Sequence, residues 1–213
     1  MDLGPGRHLK MPHAEDAKIL FLTGFYGHFA PAPGHVELDL GCGSGSFSCQ
    51  LARKMPDVSV LAADVMLGRL RKVVRRAEHA GAGNVTVLRT EARMLLAKIL
   101  PDSCIDRIHL LCPDPWPKGR HRGHRLLASN FVAFLHRVLK EDGVFHFSSD
   151  DENYCAAVDR VISGSGLFAE APDAIADLAG MRTDFEERWL AAGKQVLHRA
   201  WRKLPLPPHT IGH

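Results

Sequence analysis

From residue 36 onward the chain alternates short β-rich runs with helix-patterned segments. "VELDL" precedes "SFSCQLARKM", "VSVLAADV" precedes "RLRKVVRRAEHA", "NVTVLRT" precedes "ARMLLAKIL", and "IDRIHLLC" precedes "LLASNFVAFLHRVLK". A strand answered each time by a helix has one common solution, a parallel sheet whose crossover helices cover its faces. "GVFHFSSD" adds a fifth strand and "ENYCAAVDRVI" its helix. The "KEDG" stretch, Lys140 to Gly143, reads as the turn before that strand, with Gly143 free to adopt positive φ. Near the end, "DFEERWLAAG" has a helical pattern, and "KQVLHRAWRKL" alternates as a last, antiparallel strand would. Residues 1 to 18 and the closing "PLPPHTIGH" are expected to be loose extensions.

A chain of 213 residues with 46% hydrophobic content can bury one sizeable core, so a single domain over residues 1–213 is expected, its core spanning about 36–203. The net charge of +3 creates no global field, so a polyanionic partner must be read from local patches. Arg69 to Arg76, "RLRKVVRR", holds five cations, and Lys118 to Arg125, "KGRHRGHR", holds four with two histidines. On the first, Leu70, Val73, Val74 and Ala77 are spaced to face a sheet, which leaves Arg69, Arg71, Lys72, Arg75 and Arg76 outward as a solvated face.

Five cysteines without a CxxC pair argue against a disulfide framework and a four-cysteine zinc site, and fit a reducing cytosol. His121 and His124 pair at short spacing but lack a third ligand nearby, so no metal is expected. With no signal-peptide pattern and no apolar stretch of spanning length, a soluble cytoplasmic protein is expected, monomeric or homodimeric, with no membrane partner.

"VELDLGCGSGSF" is a strand running into a glycine turn and then a helix. Gly41, Gly43 and Gly45 allow a sharp turn and a close backbone approach to a bound nucleoside. The spacing is GxGxG rather than the GxGxxG of dinucleotide sites, which suits an uncharged or cationic adenosyl ligand better than a pyrophosphate. Asp64 ends the next strand, where a carboxylate can accept hydrogen bonds from both ribose hydroxyls. Asp39, inside the first strand, is placed to face an ammonium or sulfonium. Glu91 and Ala92, after the third strand, are placed to flank an adenine.

This constellation resembles the class I S-adenosylmethionine-dependent methyltransferases. "PDPWPKGRHRGHRLL", "HFSSD" and "RTDFEERWLAAGKQVLHRAWRK" are similar to segments of the tRNA (guanine-N7-)-methyltransferases, the TrmB family, and the likeness covers about residues 36–203. The resemblance implies an α/β, Rossmann-like class I methyltransferase fold, with a mostly parallel seven-stranded sheet and helices on both faces. It also implies S-adenosyl-L-methionine as cofactor, tRNA as partner, and N7 of a variable-loop guanine as acceptor. The chain departs from the family pattern in carrying Asp39 for the usual Glu, and Gly123 and His124 for the usual Lys-Arg.

Guanine N7 is an exposed lone pair with no proton to remove, so the reaction needs in-line positioning rather than a strong base. The purine becomes cationic during transfer, which favours a fixed carboxylate beside it. Asp114, held between Pro113 and Pro115 at a strand end, suits that role, and the resemblance gives it the catalytic position. Trp116 is placed to stack on the base, or to serve as core. Lys118, Arg120, Arg122 and Arg125 would neutralise phosphates, with His121 adding a hydrogen bond. By resemblance, Asp150, Thr183 and Glu186 contact the guanine or close the pocket. The plainer alternative makes Asp150 a cap for the following helix, and Thr183 with Glu186 a capping box.

The residues leave other readings open. One is a class I methyltransferase acting on a small molecule or a protein. A nicotinamide-dependent oxidoreductase is disfavoured by the glycine spacing, and a non-catalytic RNA-binding protein retaining the fold is the third.

Overall fold

The computed structural model describes residues 13–22, 29–113 and 129–206. Eight strands form one sheet: β1 (Ile19–Phe21), β2 (Val36–Leu40), β3 (Ser59–Asp64), β4 (Val85–Arg89), β5 (Ile105–Leu111), β6 (Leu139–Ser149), β7 (Phe168–Glu170) and β8 (Leu197–Lys203). Their spatial order is β1-β4-β3-β2-β5-β6-β8-β7. Pairing is parallel from β1 through β6, and β8 runs antiparallel to both β6 and β7. The chain starts this winding at β2, moves outward one way through β3 and β4, then returns to β5 on the other side. That reversal opens a crevice at the carboxyl ends of β2 and β5, where open α/β sheets bind ligands.

The helices are α1 (Ser46–Lys54), α2 (Leu67–Ala80), α3 (Ala92–Met94, continuing as a π turn over Leu95–Ile99), α4 (Ser129–Val138), α5 (Glu152–Ser163) and α6 (Asp184–Ala191), with a 3-10 segment at Pro172–Leu178. Each strand sorts its side chains by the two-residue period of the pleat. Leu38, Ile108, Phe145 and Trp201 point to the face covered by α4 and α5, where Phe131, Leu135 and Val158 complete the larger apolar cluster. Alternate positions face α1, α2 and the 3-10 segment. There Phe47, Leu51, Leu111 and Leu178 form one cluster, and Ala62, Leu70, Val73 and Val87 another.

Four expectations change. The sheet has eight strands rather than seven, because β1 adds parallel to β4 at one edge. The segment just before β1 is ordered as a 3-10 turn over Ala14–Lys18, not a loose extension. Its acids hold α2: Arg71 makes two bonds of 2.8 Å to Asp16, and Arg75 lies 2.6 Å from Glu15. The outward cations of α2 are therefore largely paired rather than solvated, since Arg76 also binds Asp184 and Arg69 approaches Asp64 at 3.8 Å. Finally, Lys140 to Gly143 do turn, as a bulge inside the bounds of β6 between the pairs Leu139–Ile105 and Val144–Arg107, but Asp142, at φ 59°, takes the left-handed conformation expected of Gly143. A Cβ on Gly143 would sit 2.9 Å from the Lys140 carbonyl oxygen, so glycine is required there for space.

Candidate active site

The glycine turn leaves β2 at Leu40, and the amides of Gly41 and Cys42 are both bound by the Ala63 carbonyl of β3. Gly41 and Gly43 have φ of 80° and 57°, and a Cβ on either would meet open space. Gly45 differs. Its Cβ would lie 2.8 Å from Val73 Cγ1, so glycine at this position lets α1 and α2 approach each other.

Asp64 accepts from Gly43 N at 3.1 Å with one oxygen and from Met66 N at 2.8 Å with the other. It ties the glycine turn to the start of α2 and is 7% exposed at the crevice. Asp39 is buried and accepts from the Ser48 hydroxyl of α1 at 2.5 Å. Burial pushes its carboxyl up to about 6, despite that hydrogen bond. Glu91 caps α3, its oxygens accepting from Arg93 N at 3.1 Å and Met94 N at 2.9 Å, and Ala92 opens that helix. Beside them the Thr90 hydroxyl is buried without a hydrogen-bond partner among the described residues. An open face over Gly41 and Gly43, a carboxylate at the end of β3 and an orphaned hydroxyl beyond β4 together fit the ribose and base of an adenosyl group.

At the end of β5, Cys112 is left-handed at φ 47° while its amide binds the Ser148 carbonyl, so the chain turns sharply off the sheet before Pro113. Asp114, Trp116, Lys118, Arg120, His121, Arg122 and Arg125 follow that turn and lie outside the described residues. The Asp114 assignment thus rests on the sequence and on where Pro113 leaves the sheet.

A cavity of about 340 Å³ opens beside this strand end, between the sheet, α1 and α6; Phe47, Leu111, His146, Met181, Glu186 and His198 contribute to its wall. Thr183 and Glu186 form a complete capping box: Thr183 Oγ1 accepts from Glu186 N at 3.1 Å, and Glu186 Oε2 accepts from Thr183 N at 3.4 Å. Glu186 also faces the cavity, so the same carboxylate caps α6 and borders the space. Asp150 is not a helix cap. Its neighbour Asp151 caps α5 by accepting from Tyr154 N, which leaves Asp150 at the end of β6 to bind Lys194 at 3.2 Å.

Sequence reasoning missed the residues that join the two halves of the site. Asp184, at the start of α6, accepts from Ser44 of the glycine turn and from Arg76 of α2 at 3.2 Å. Ser46 and Gln50 of α1 both donate to the Arg182 carbonyl, at 3.1 and 2.8 Å. These hydrogen bonds sew the 182–186 segment onto the glycine turn. Also missed was a polar layer inside the sheet, in which Glu37, Arg107, His109 and His146 are all buried. The one signal for it is the recurrence of Glu and His at alternate strand positions, in "VELDL", "RIHLL" and "VFHFSS". Among the described residues no group of three or more His, Cys, Asp or Glu is arranged to hold a metal, and no helix is long and apolar enough to cross a membrane.

Solved structures share this architecture. The chain superposes on the 16S rRNA methyltransferase KamB with a TM-score of 0.59 at 19% identity, covering 81% of this chain and 89% of that one. The 16S rRNA (adenine(1408)-N(1))-methyltransferase from Catenulisporales acidiphilia gives 0.55 at 16% identity, covering 82% and 89%. With the glycine turn at the sheet's switch point, these likenesses define a class I methyltransferase fold. The family model described as "Putative methyltransferase" matches residues 33–199. Proteins named tRNA (guanine-N(7)-)-methyltransferase are 34% identical in Geobacter metallireducens, over 79% of this chain and 82% of that protein, and 36% identical in Syntrophotalea carbinolica, over 76% and 71%. The chain belongs to the tRNA (guanine-N7-)-methyltransferase family.

Proposed function

We propose that this protein transfers the methyl group of S-adenosylmethionine to N7 of a guanine in the variable loop of tRNA, and does so in the cytoplasm. The observation that carries the reading is the convergence of four segments on one sheet edge. The glycine turn after β2, Asp64 after β3, the Cys112 to Pro113 turn after β5 and Asp150 after β6 all lie at the carboxyl ends of parallel strands, with α6 sewn across them.

The donor supplies an electrophilic methyl on a sulfonium. Asp64 and the open face over Gly41 and Gly43 would hold its ribose and backbone, Glu91 and Ala92 would flank its adenine, and Asp39 would lie toward its cationic part. Asp114, beyond Pro113, would lie beside the purine as positive charge develops there. Glu186, Thr183 and Asp150 would border the acceptor base, with Trp116 against its face. Lys118, Arg120, Arg122 and Arg125, with His121 among them, would hold the phosphates that bring the loop to the cavity.

Transfer of labelled methyl from S-adenosylmethionine to unmodified tRNA, followed by mapping of the modified nucleoside, tests this directly. The expected product is 7-methylguanosine at one variable-loop position. A transcript carrying 7-deazaguanine there should bind and accept no methyl, because the nucleophilic lone pair is gone. Methylation of that deaza nucleotide would refute N7 chemistry.

A further inference from the structure

Five side chains form an unbroken line across the sheet from β2 to α6. Glu37 Oε2 lies 2.7 Å from His109 Nε2, and His109 Nδ1 lies 3.0 Å from His146 Nδ1. His146 Nε2 lies 2.9 Å from His198 Nδ1, and His198 Nε2 lies 2.9 Å from Glu186 Oε1. Every strand in the line is a nearest neighbour of the next: His109 is directly opposite His146 across β5 and β6, Glu37 is two positions from Asp39, the residue opposite His109, and His198 is two positions from Ala200, the residue opposite His146, so each diagonal pair shares a face.

Counting protons constrains this line. Four junctions at hydrogen-bond distance need four protons between them. Two carboxylates contribute none when ionised, and three neutral imidazoles contribute one each. Three protons leave one junction as two facing lone pairs, which is costly inside a sheet.

The surroundings decide where a fourth proton resides. Burial, together with the charge of neighbouring groups, drives the His146 imidazole well below its ordinary range, so the middle ring stays neutral. Burial would raise Glu37, but hydrogen bonds from His109, His35 and Arg107 outweigh it and hold this carboxyl well below the carboxylate range. Glu37 is thus already compensated: Arg107 lies 2.6 Å away, itself bound to Asp177, and His35 lies 3.2 Å away. At the other end, the groups facing Glu186 are His198, the Cys112 thiol of the β5 turn and, across the cavity, Arg182. Only there is a carboxylate whose one close ionic partner among the described residues is a histidine.

We propose that the line holds four protons, that the fourth makes His198 an imidazolium, and that His198 is thereby the positioning residue that keeps Glu186 an ionised acceptor facing the cavity. In this arrangement His198 donates to Glu186 and to His146, His146 donates to His109, and His109 donates to Glu37. Loss of the fourth proton opens one junction of the line; in the proposed arrangement that break falls at His198 Nε2, where Glu186 then faces a bare nitrogen and is free to turn. The consequence for catalysis rests on the reading that Glu186 borders the acceptor guanine, whose amino group is a donor that an ionised carboxylate can accept.

Two measurements test it. In the full-length protein with 15N-labelled histidine, signals are assigned by His198→Gln and His146→Gln. Over the pH range in which the protein stays folded, the expected pattern is a doubly protonated His198 that loses one proton in a single step, a neutral His146 protonated at Nδ1, and a neutral His109 protonated at Nε2. A bare Nε2 on His198 throughout that range, or an imidazolium at His109 instead, overturns the proposal. In tRNA methylation, kcat/KM for RNA should fall on the alkaline side with the same step, and His198→Gln should abolish that limb. Glu186→Gln should cost about tenfold, as for one charge-assisted hydrogen bond, and the double variant should be no worse than Glu186→Gln alone. Multiplying losses would show that His198 does not act through Glu186. If the wild-type protein methylates no tRNA, the functional reading fails while the imidazole spectra still decide the proton count.

Discussion

Asp39 on β2 and Ser48 on α1 hydrogen-bond at 2.5 Å with both residues sealed from solvent, one turn of helix beyond the glycine loop. A carboxylate kept dry in this way is a cost to the free protein. Moving a carboxyl from 3.8 to about 6 is worth about 3 kcal/mol. The native state holds the Asp39 proton more tightly than the unfolded chain, so between pH 4 and 6 stability falls at this residue as pH rises. Above pH 6 the full penalty is present. Asp39→Asn should therefore raise stability of the donor-free protein at pH 8, flatten its pH dependence between 4 and 6, and weaken binding of the cationic donor. Thermal denaturation across pH, with and without S-adenosylmethionine, reads all three.

Asp64 has one structural duty and one proposed duty, and a single substitution removes both. In Asp64→Ala, the Gly43 and Met66 amides lose their acceptor, at a cost of about 1–3 kcal/mol in stability. Donor affinity should fall roughly tenfold or more, as for loss of charge-assisted bonds to a ribose. Calorimetric titration of the folded variant checks the second effect separately from the first, and unchanged donor affinity would remove Asp64 from the binding site.

Gly45 and Val73 form a testable pair. Gly45→Ala must place a methyl 2.8 Å from Val73 Cγ1 and hold an L-residue at φ 78°, so a loss of about 2–4 kcal/mol is expected. Val73→Ala in the same chain should recover the steric part and leave the backbone strain. Denaturant titrations of the single and double variants would show this as a coupling between the two positions.

Alanine replacement of Lys118, Arg120, Arg122 or Arg125 should weaken tRNA binding whatever the sequence and leave donor affinity unchanged. For each cation that neutralises a phosphate, its removal should make the slope of log affinity against log salt shallower by about 0.7–0.9. Filter-binding isotherms at several salt concentrations measure the slope, and an unaltered slope would mean that the cation does not meet phosphate.

Replacing Asp114 with Asn preserves shape and removes the charge proposed to lie beside the reacting purine. A loss of two to four decades in turnover is expected, about 3–5 kcal/mol of barrier, with donor affinity nearly unaffected. Single-turnover methyl transfer to tRNA measures it.

The central strands were legible in the chain because each is a short β-rich run followed by a helical period; "VELDL" matches β2 residue for residue and "IDRIHLLC" overruns β5 by one residue, Cys112. The glycine turn and Asp64 were legible because they are local: a turn needing left-handed residues and a strand end a fixed distance on. So was the Thr183–Glu186 box, whose four-residue spacing is the motif itself. The three-residue strands β1 and β7 carry no period to detect, and exist because an edge of the sheet accepts them. Only the fold decided that Arg71 and Arg75 meet Asp16 and Glu15, that Asp184 reaches Ser44, and that three histidines separated by 37 and 52 positions align between two carboxylates. Their partners are set by strand order and register, which follow from burying Leu38, Ile108, Phe145 and Trp201 together on the opposite face. Each strand's polar residues are carried to their neighbours by the packing of its apolar ones.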